Sequence, residues 1–250
     1  MSEHIAHTEY IRTVPGAKYA VMMVHGILAT PNFWSDFVKL VPEEISIYNL
    51  LLDGHGGGVE DFSATSMGKW REQVHGVFDG LCERYEKIFL VGHSMGTLFS
   101  IQLATQRPEK VAALFLLASP LRVFVKPVAA KNSFKAVFDK IDESVPIERA
   151  AKNTLGVSLD KRLWKYVPWA PRFIELFIEI VRTRPLVSKI SVPTQVFQSA
   201  KDELVSTKAA DFFRGKESIH LCILENSSHQ CYSDEDYKIL LDSFKDIFNK

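Results

Sequence analysis

The chain has 250 residues, with 30 Lys+Arg balancing 30 Asp+Glu, so nothing here builds the basic surface that nucleic acid or an anionic membrane requires, and polyanionic partners are not expected. With 46% hydrophobic and 24% charged residues it has enough apolar material for one large core, and no shift of composition divides it into independent domains. Three cysteines, Cys82, Cys222 and Cys231, are an odd number without a CxxC pair, which argues against a disulfide framework or a thiolate metal site.

In the N-terminal stretch MSEHIAHTEYIRTVPGAKYAVMMVHG, charges interrupt every apolar run except Tyr19 to Val24. That run is too short for a secretory core or a membrane span, so a cytoplasmic protein without stable membrane insertion is expected. Its β-rich composition makes Ala20 to Val24 the first strand. A helix over Asn32 to Leu40 and a strand over Ile45 to Leu51 follow. Next come a helix over Met67 to Arg84, a strand over Ile88 to Val91, a helix over Gly96 to Gln106 and a strand over Val111 to Ala118. Strands at Thr194 to Gln198 and Ile219 to Leu224, and helices at Lys208 to Phe213 and Asp234 to Phe248, close the chain. This alternation predicts an α/β fold, a mostly parallel sheet flanked by helices.

Between Leu121 and Ser191 the rhythm stops. The stretch has no clear buried strand but many aromatics, and Pro171 opens a helical pattern that puts Phe173, Ile174, Phe177, Ile178 and Val181 on one side. Residues 1–120 and 191–250 are therefore expected to form the core, and residues 121–190 a helical cap. Phe134, Phe138, Trp164 and Trp169 are candidates to line an apolar ligand pocket beneath it.

The sequence IFLVGHSMGTL supplies the chemistry. GHSMG fits G-x-S-x-G, with an apolar strand before it and a helix after it, the context of a strained strand-to-helix turn that holds a serine outward. Ser94 is the candidate nucleophile, placed where a helix N-terminus favours developing negative charge. A phosphate cradle is the rival reading of such a loop, but it would want more glycine and a lysine.

Serine needs a base and a group to orient that base. Of eight histidines, His4 and His7 lie at the ragged N-terminus, His75 in a helical pattern and His220 in a strand. His93 adjoins the serine and points away across the turn, while His25 and His55 are placed to hold loops. His229 follows the last predicted strand and is the candidate base. Asp202, in the loop after the Thr194 strand, is the candidate acid. Glu225 competes with it, whereas Asp53 belongs to loop structure and Asp234 to a helix start. Cys231, close to His229, reads as a bystander thiol. No metal-ligand spacing is visible and the chemistry requires no cofactor.

VHGILATPNFW, LLDGHGGG, VGHSMG, SAKDELV and NSSHQ together make the chain resemble the α/β-hydrolases, and more narrowly bacterial carboxylesterases and monoacylglycerol lipases. The resemblance implies the α/β-hydrolase fold and an ester as substrate. It also implies an oxyanion hole made by the backbone N–H groups of Ile27 and Met95. Thioester hydrolysis, amide hydrolysis, acyl transfer and carbon–carbon cleavage use the same scaffold, and a non-catalytic binding module is the reading from another class. The oligomeric state is not legible.

Overall fold

The computed structural model describes residues 7–249, so Met1–Ala6, His4 among them, and Lys250 lie outside the description. Seven strands form one sheet: β1 (Tyr10–Arg12), β2 (Tyr19–Val24), β3 (Ser46–Leu50), β4 (Lys87–His93), β5 (Val111–Leu117), β6 (Thr194–Ser199) and β7 (Ile219–Leu224). Their order is β1-β3-β2-β4-β5-β6-β7. Only β1 runs antiparallel, pairing with β3; every other pair is parallel. All six predicted strands are present, within a few residues at their ends.

The near-continuous apolar character of the central strands follows from burial of both sheet faces. Along β2, Ala20, Met22 and Val24 enter one core cluster while Val21 and Met23 enter the other; β4 divides likewise into Ile88 and Leu90 against Phe89 and Val91. This alternation is the period of two of an extended chain, with a packed layer on each side. One layer is made by α3 (Met67–Arg84) and α4 (Met95–Gln106), which contribute Trp70, Val74, Phe78, Leu98 and Ile101. The other is made by α1 (Ser35–Val38) and α8 (Asp234–Asp246), with Phe37, Leu240 and Phe244.

Several expectations shift. Asn32 to Leu40 is a 3-10 turn over Pro31–Trp34 followed by the short α1, and Lys208 to Phe213 lies in a 3-10 helix over Thr207–Phe213. The N-cap of α8 is Ser233, whose side chain accepts the Asp236 N–H; Asp234 occupies the first turn. Among the elements that went unread are β1, three mostly exposed residues with too little length for a period, and α2 (Val59–Ala64), which starts directly after the glycine run.

Between β5 and β6 lie α5 (Pro127–Val137), α6 (Pro146–Thr154), a 3-10 helix over Leu163–Trp169, α7 (Ala170–Thr183) and a 3-10 helix over Arg184–Lys189. The two ends of this insertion attach differently. α7 is bolted to the body through polar side chains: Glu179, 1% exposed, pairs with Arg71 of α3 at 2.5 Å and accepts from Gln102 of α4 at 2.8 Å. Glu175 accepts the Met67 N–H, and Arg172 donates to the carbonyls of Ser63 and Thr65. The α5–α6 pair is instead tied at its roots. Phe124 and Lys126 N–H groups donate to Leu204 and Glu203 carbonyls on one side, and Gly156 N–H donates to the Leu28 carbonyl on the other.

Candidate active site

The chain leaves β2 for β3 on one side, then returns to β4 on the other. The carboxyl ends of β2 and β4 therefore face each other at the point where strand order reverses, the place where open α/β sheets bind ligands. β2 delivers His25-Gly26 there and β4 delivers Ser94.

Ser94 adopts φ 51 and ψ −119, a strained conformation for a residue with a side chain. Two flanking glycines make it possible. A Cβ at Gly96 would lie 2.1 Å from the Val24 carbonyl oxygen, and one at Gly92 would lie 2.7 Å from the Thr97 nitrogen. Helix α4 thus starts against the end of β2 at a distance that only glycine permits.

The three groups predicted for catalysis meet. Ser94 Oγ donates to His229 Nε2 at 3.1 Å, and His229 Nδ1 donates to Asp202 Oδ2 at 2.9 Å. Asp202 follows β6 and is fixed by its other oxygen, Oδ1, which accepts the N–H groups of Leu204 and Val205 at 2.8 Å each, while Gln198 donates to Oδ2. Burial pushes the Asp202 carboxyl up, but the facing His229 and these hydrogen bonds outweigh it and hold the group below its ordinary value. For His229 burial works toward the neutral form; the charge and hydrogen bond of Asp202, with Glu203 behind, prevail and raise it above the usual imidazole value.

The backbone of His229 is held from three directions, which the sequence did not disclose. Its N–H donates to Glu203 Oε2 at 3.1 Å, and its carbonyl accepts from Tyr232 Oη at 3.1 Å and from His93 Nε2 at 3.2 Å. Glu203 was legible only as the residue after the acid. His93 does point away from the nucleophile: its ring stacks on Phe33 at 4.1 Å, and burial, then the nearby His229, push it down to about 3.

His25 and His55 prove to be braces. Leu52 N–H donates to His25 Nε2, and Leu28 N–H donates to His55 Nε2, both at 3.1 Å, so the loop after β2 and the DGHGG loop are joined by two imidazoles 4.8 Å apart. Both rings must be neutral to accept there. Burial supplies this, pushing His25 well below its ordinary value and His55 down to about 4. The braced loop lies against the elbow at Gly26, where an added Cβ would meet the Ser94 Cβ at 3.0 Å, and Met95 is the first helical residue of α4. The first amides of a helix have no carbonyl one turn back to bond.

Of the remaining candidates, Glu225 is not the partner of the imidazole, whose Nδ1 is taken by Asp202, and Asp53 joins loop structure, its backbone bonding Gln73 and Trp70. The four cap aromatics are not gathered together. Trp169 is buried against Phe62 and donates its indole N–H to the Val59 carbonyl, so it anchors α7; Trp164 is solvent-facing, and Phe134, half exposed, leans on Phe138. A groove of about 840 Å³ instead opens beside the His229 loop, bordered by Phe33, Arg149, Thr154, Gln230 and Tyr232. Ser94 itself is nearly covered. Among the described residues no group of His, Cys, Asp and Glu is arranged to hold a metal ion, and no helix is long and apolar enough to cross a membrane.

Known proteins resemble this chain along most of its length. Human monoacylglycerol lipase ABHD6 is 24% identical over 290 residues, covering 98% of this chain and 82% of the lipase. A thermostable monoacylglycerol lipase from Bacillus sp. (strain H-257) is 24% identical over 92% of this chain and 90% of its own. Among solved structures, that of the metagenome-derived lipolytic enzymes LipS and LipT shares the fold, with TM-score 0.72 at 20% identity and 98% of each chain covered. The profile of the family described as "Serine aminopeptidase, S33" spans residues 15–236, and with its elbow serine, aspartate and histidine in hydrogen-bond contact the chain belongs to that family of α/β-hydrolases.

Proposed function

We propose that the protein hydrolyses carboxylic esters with apolar acyl chains, as a carboxylesterase or monoacylglycerol lipase. The observation that carries this reading is the continuous line from Ser94 Oγ through His229 to Asp202 Oδ2, at 3.1 and 2.9 Å. His229 takes the proton as Ser94 attacks the ester carbonyl, then delivers it to the departing alcohol. Asp202 keeps Nδ1 protonated so that Nε2 faces the serine. The N–H groups of Ile27 and Met95 stabilise the oxyanion, and water releases the acid from the acyl-enzyme by the same steps in reverse order. Support for the oxyanion assignment comes from the two-histidine brace behind Ile27 and the helix start at Met95.

The α5–α6 pair is read as the movable part of the cap and α7 as its fixed part, a division supported by the buried Glu179 contacts of α7 alone. The three unpaired cysteines support a reducing compartment such as the cytoplasm.

Hydrolysis rates for soluble esters of increasing acyl length, acetate to palmitate, test the substrate class. The expected optimum lies at medium or long chains, since each buried methylene adds about 0.8 kcal/mol. A sharp preference for acetate would contradict an apolar acyl site.

A further inference from the structure

Helix α7 is apolar on its outer side as well as on its inner one, where Ile180 is buried and Leu176 packs on the core. Its polar side chains, Glu175, Glu179 and Thr183, face the body, and Glu179 is 1% exposed. Its opposite side carries Ile174, Phe177, Ile178 and Val181, spaced i, i+3, i+4 and i+7, and these are 60, 52, 55 and 61% exposed. Such a stripe normally faces a core. The preceding 3-10 helix adds Leu163, Trp164 and Val167, at 50, 68 and 71% exposed. A run of large apolar side chains held outward on a fixed helix marks a surface that meets something.

The charge of this segment indicates what it meets. The chain's overall neutrality, which argued against an anionic membrane, is the sum of two unequal parts. Residues 121–190 hold fourteen basic and seven acidic side chains, leaving sixteen and twenty-three for the rest. Around the stripe the bias is steeper, for residues 161–189 hold seven basic and two acidic side chains, and the two acids, Glu175 and Glu179, turn inward. Lys161, Arg162 and Lys165 are answered by Asp139, Asp160 and Glu60. At the other end of α7 lie Arg182, Arg184 and Lys189, where the buried Glu179 is already shared between Arg71 and Arg182.

We propose that this face docks on an anionic lipid surface, with the α7 stripe and Trp164 entering the headgroup boundary and the basic side chains meeting lipid phosphates and carboxylates. A second copy of the chain fits less well, because a two-fold contact through the stripe would set the same basic residues against each other. The proposal does not depend on the ester reading, since binding needs no turnover.

The test uses the full chain carrying Ser94→Ala, so that no lipid is consumed, sedimented with vesicles of phosphatidylcholine alone or with one-third phosphatidylserine. Binding to the anionic vesicles is expected to exceed that to neutral ones at least tenfold and to weaken as salt is raised. Phe177→Ser with Ile178→Ser should lower it at least tenfold, and Lys189→Glu by about fivefold or more. These side chains stand in solvent, so the same substitutions in the Ser94 enzyme should leave hydrolysis of a soluble short-chain ester unchanged. Three results would overturn the proposal: no binding, equal binding to both vesicle types, or undiminished binding by the double variant. A dimer that Phe177→Ser with Ile178→Ser returns to 28.3 kDa monomers would assign the stripe to a second copy instead.

Discussion

Ser94, His229 and Asp202 form a chain in which each group sets the state of the next. His229 acts as base only when neutral, and Asp202 raises its proton affinity above the ordinary imidazole value despite burial. The rate constant kcat/KM should therefore fall as pH drops through a midpoint above 6.5, the usual histidine value. Replacing the aspartate removes the facing charge and the tautomer control together. Asp202→Asn is expected to lower kcat by about 10⁴-fold and to move the acid limb of the pH profile downward; an unmoved limb would show that another group sets it. Glu203, invisible as a functional residue in the sequence, holds the backbone N–H of His229. No periodicity or spacing distinguishes a carboxylate that grips a main-chain amide from one that faces water.

Among the elements, the elbow was the most legible because its requirement is steric. The glycines of GHSMG let β4, β2 and α4 approach within distances that exclude any Cβ, and the same closeness positions the serine. Gly96→Ala forces its methyl against the Val24 carbonyl and should destabilise the protein by about 3 kcal/mol or more, measured by denaturant unfolding. Gly156 plays a similar part for the insertion, since a Cβ there would lie 2.2 Å from the Ala29 carbonyl oxygen. Gly156→Ala is expected to push the insertion off the Gly26–Thr30 loop and lower kcat/KM for a soluble ester at least tenfold; wild-type kinetics would show the contact to be idle. The strands were legible because burial on both faces writes an uninterrupted apolar run. Helix α7 was legible as a helix but not in its orientation, for a stripe at helical spacing says which residues share a side and nothing about what covers that side. Here the Glu179 ion pair shares the inner face with the buried Ile180. The short β1 and α2 hold too few residues to carry a period at all.

Across the whole molecule, three buried neutral histidines make stability depend on acid. His25, His55 and His93 are all pushed down by burial, so below about pH 6.5 the unfolded chain binds protons that the native one refuses. Each contributes about 1.4 kcal/mol of lost stability per pH unit over that window. His229 acts with the opposite sign, stabilising below its unfolded value and losing that contribution as pH rises through its raised one. Unfolding midpoints are thus expected to decline steeply from pH 6.5 toward 4, and a flat profile would contradict the neutral braces. Those braces, the elbow and the loops after β6 and β7 serve one end, which is to hold an activated serine at the switch point of the sheet. Covalent modification tests that claim most directly. Treatment with a fluorophosphonate, followed by mass analysis of peptides, should place one adduct on Ser94 and none in folded Ser94→Ala or after acid inactivation of the base. A correctly folded protein whose Ser94 stays unmodified, or one labelled equally at other serines, would contradict the account.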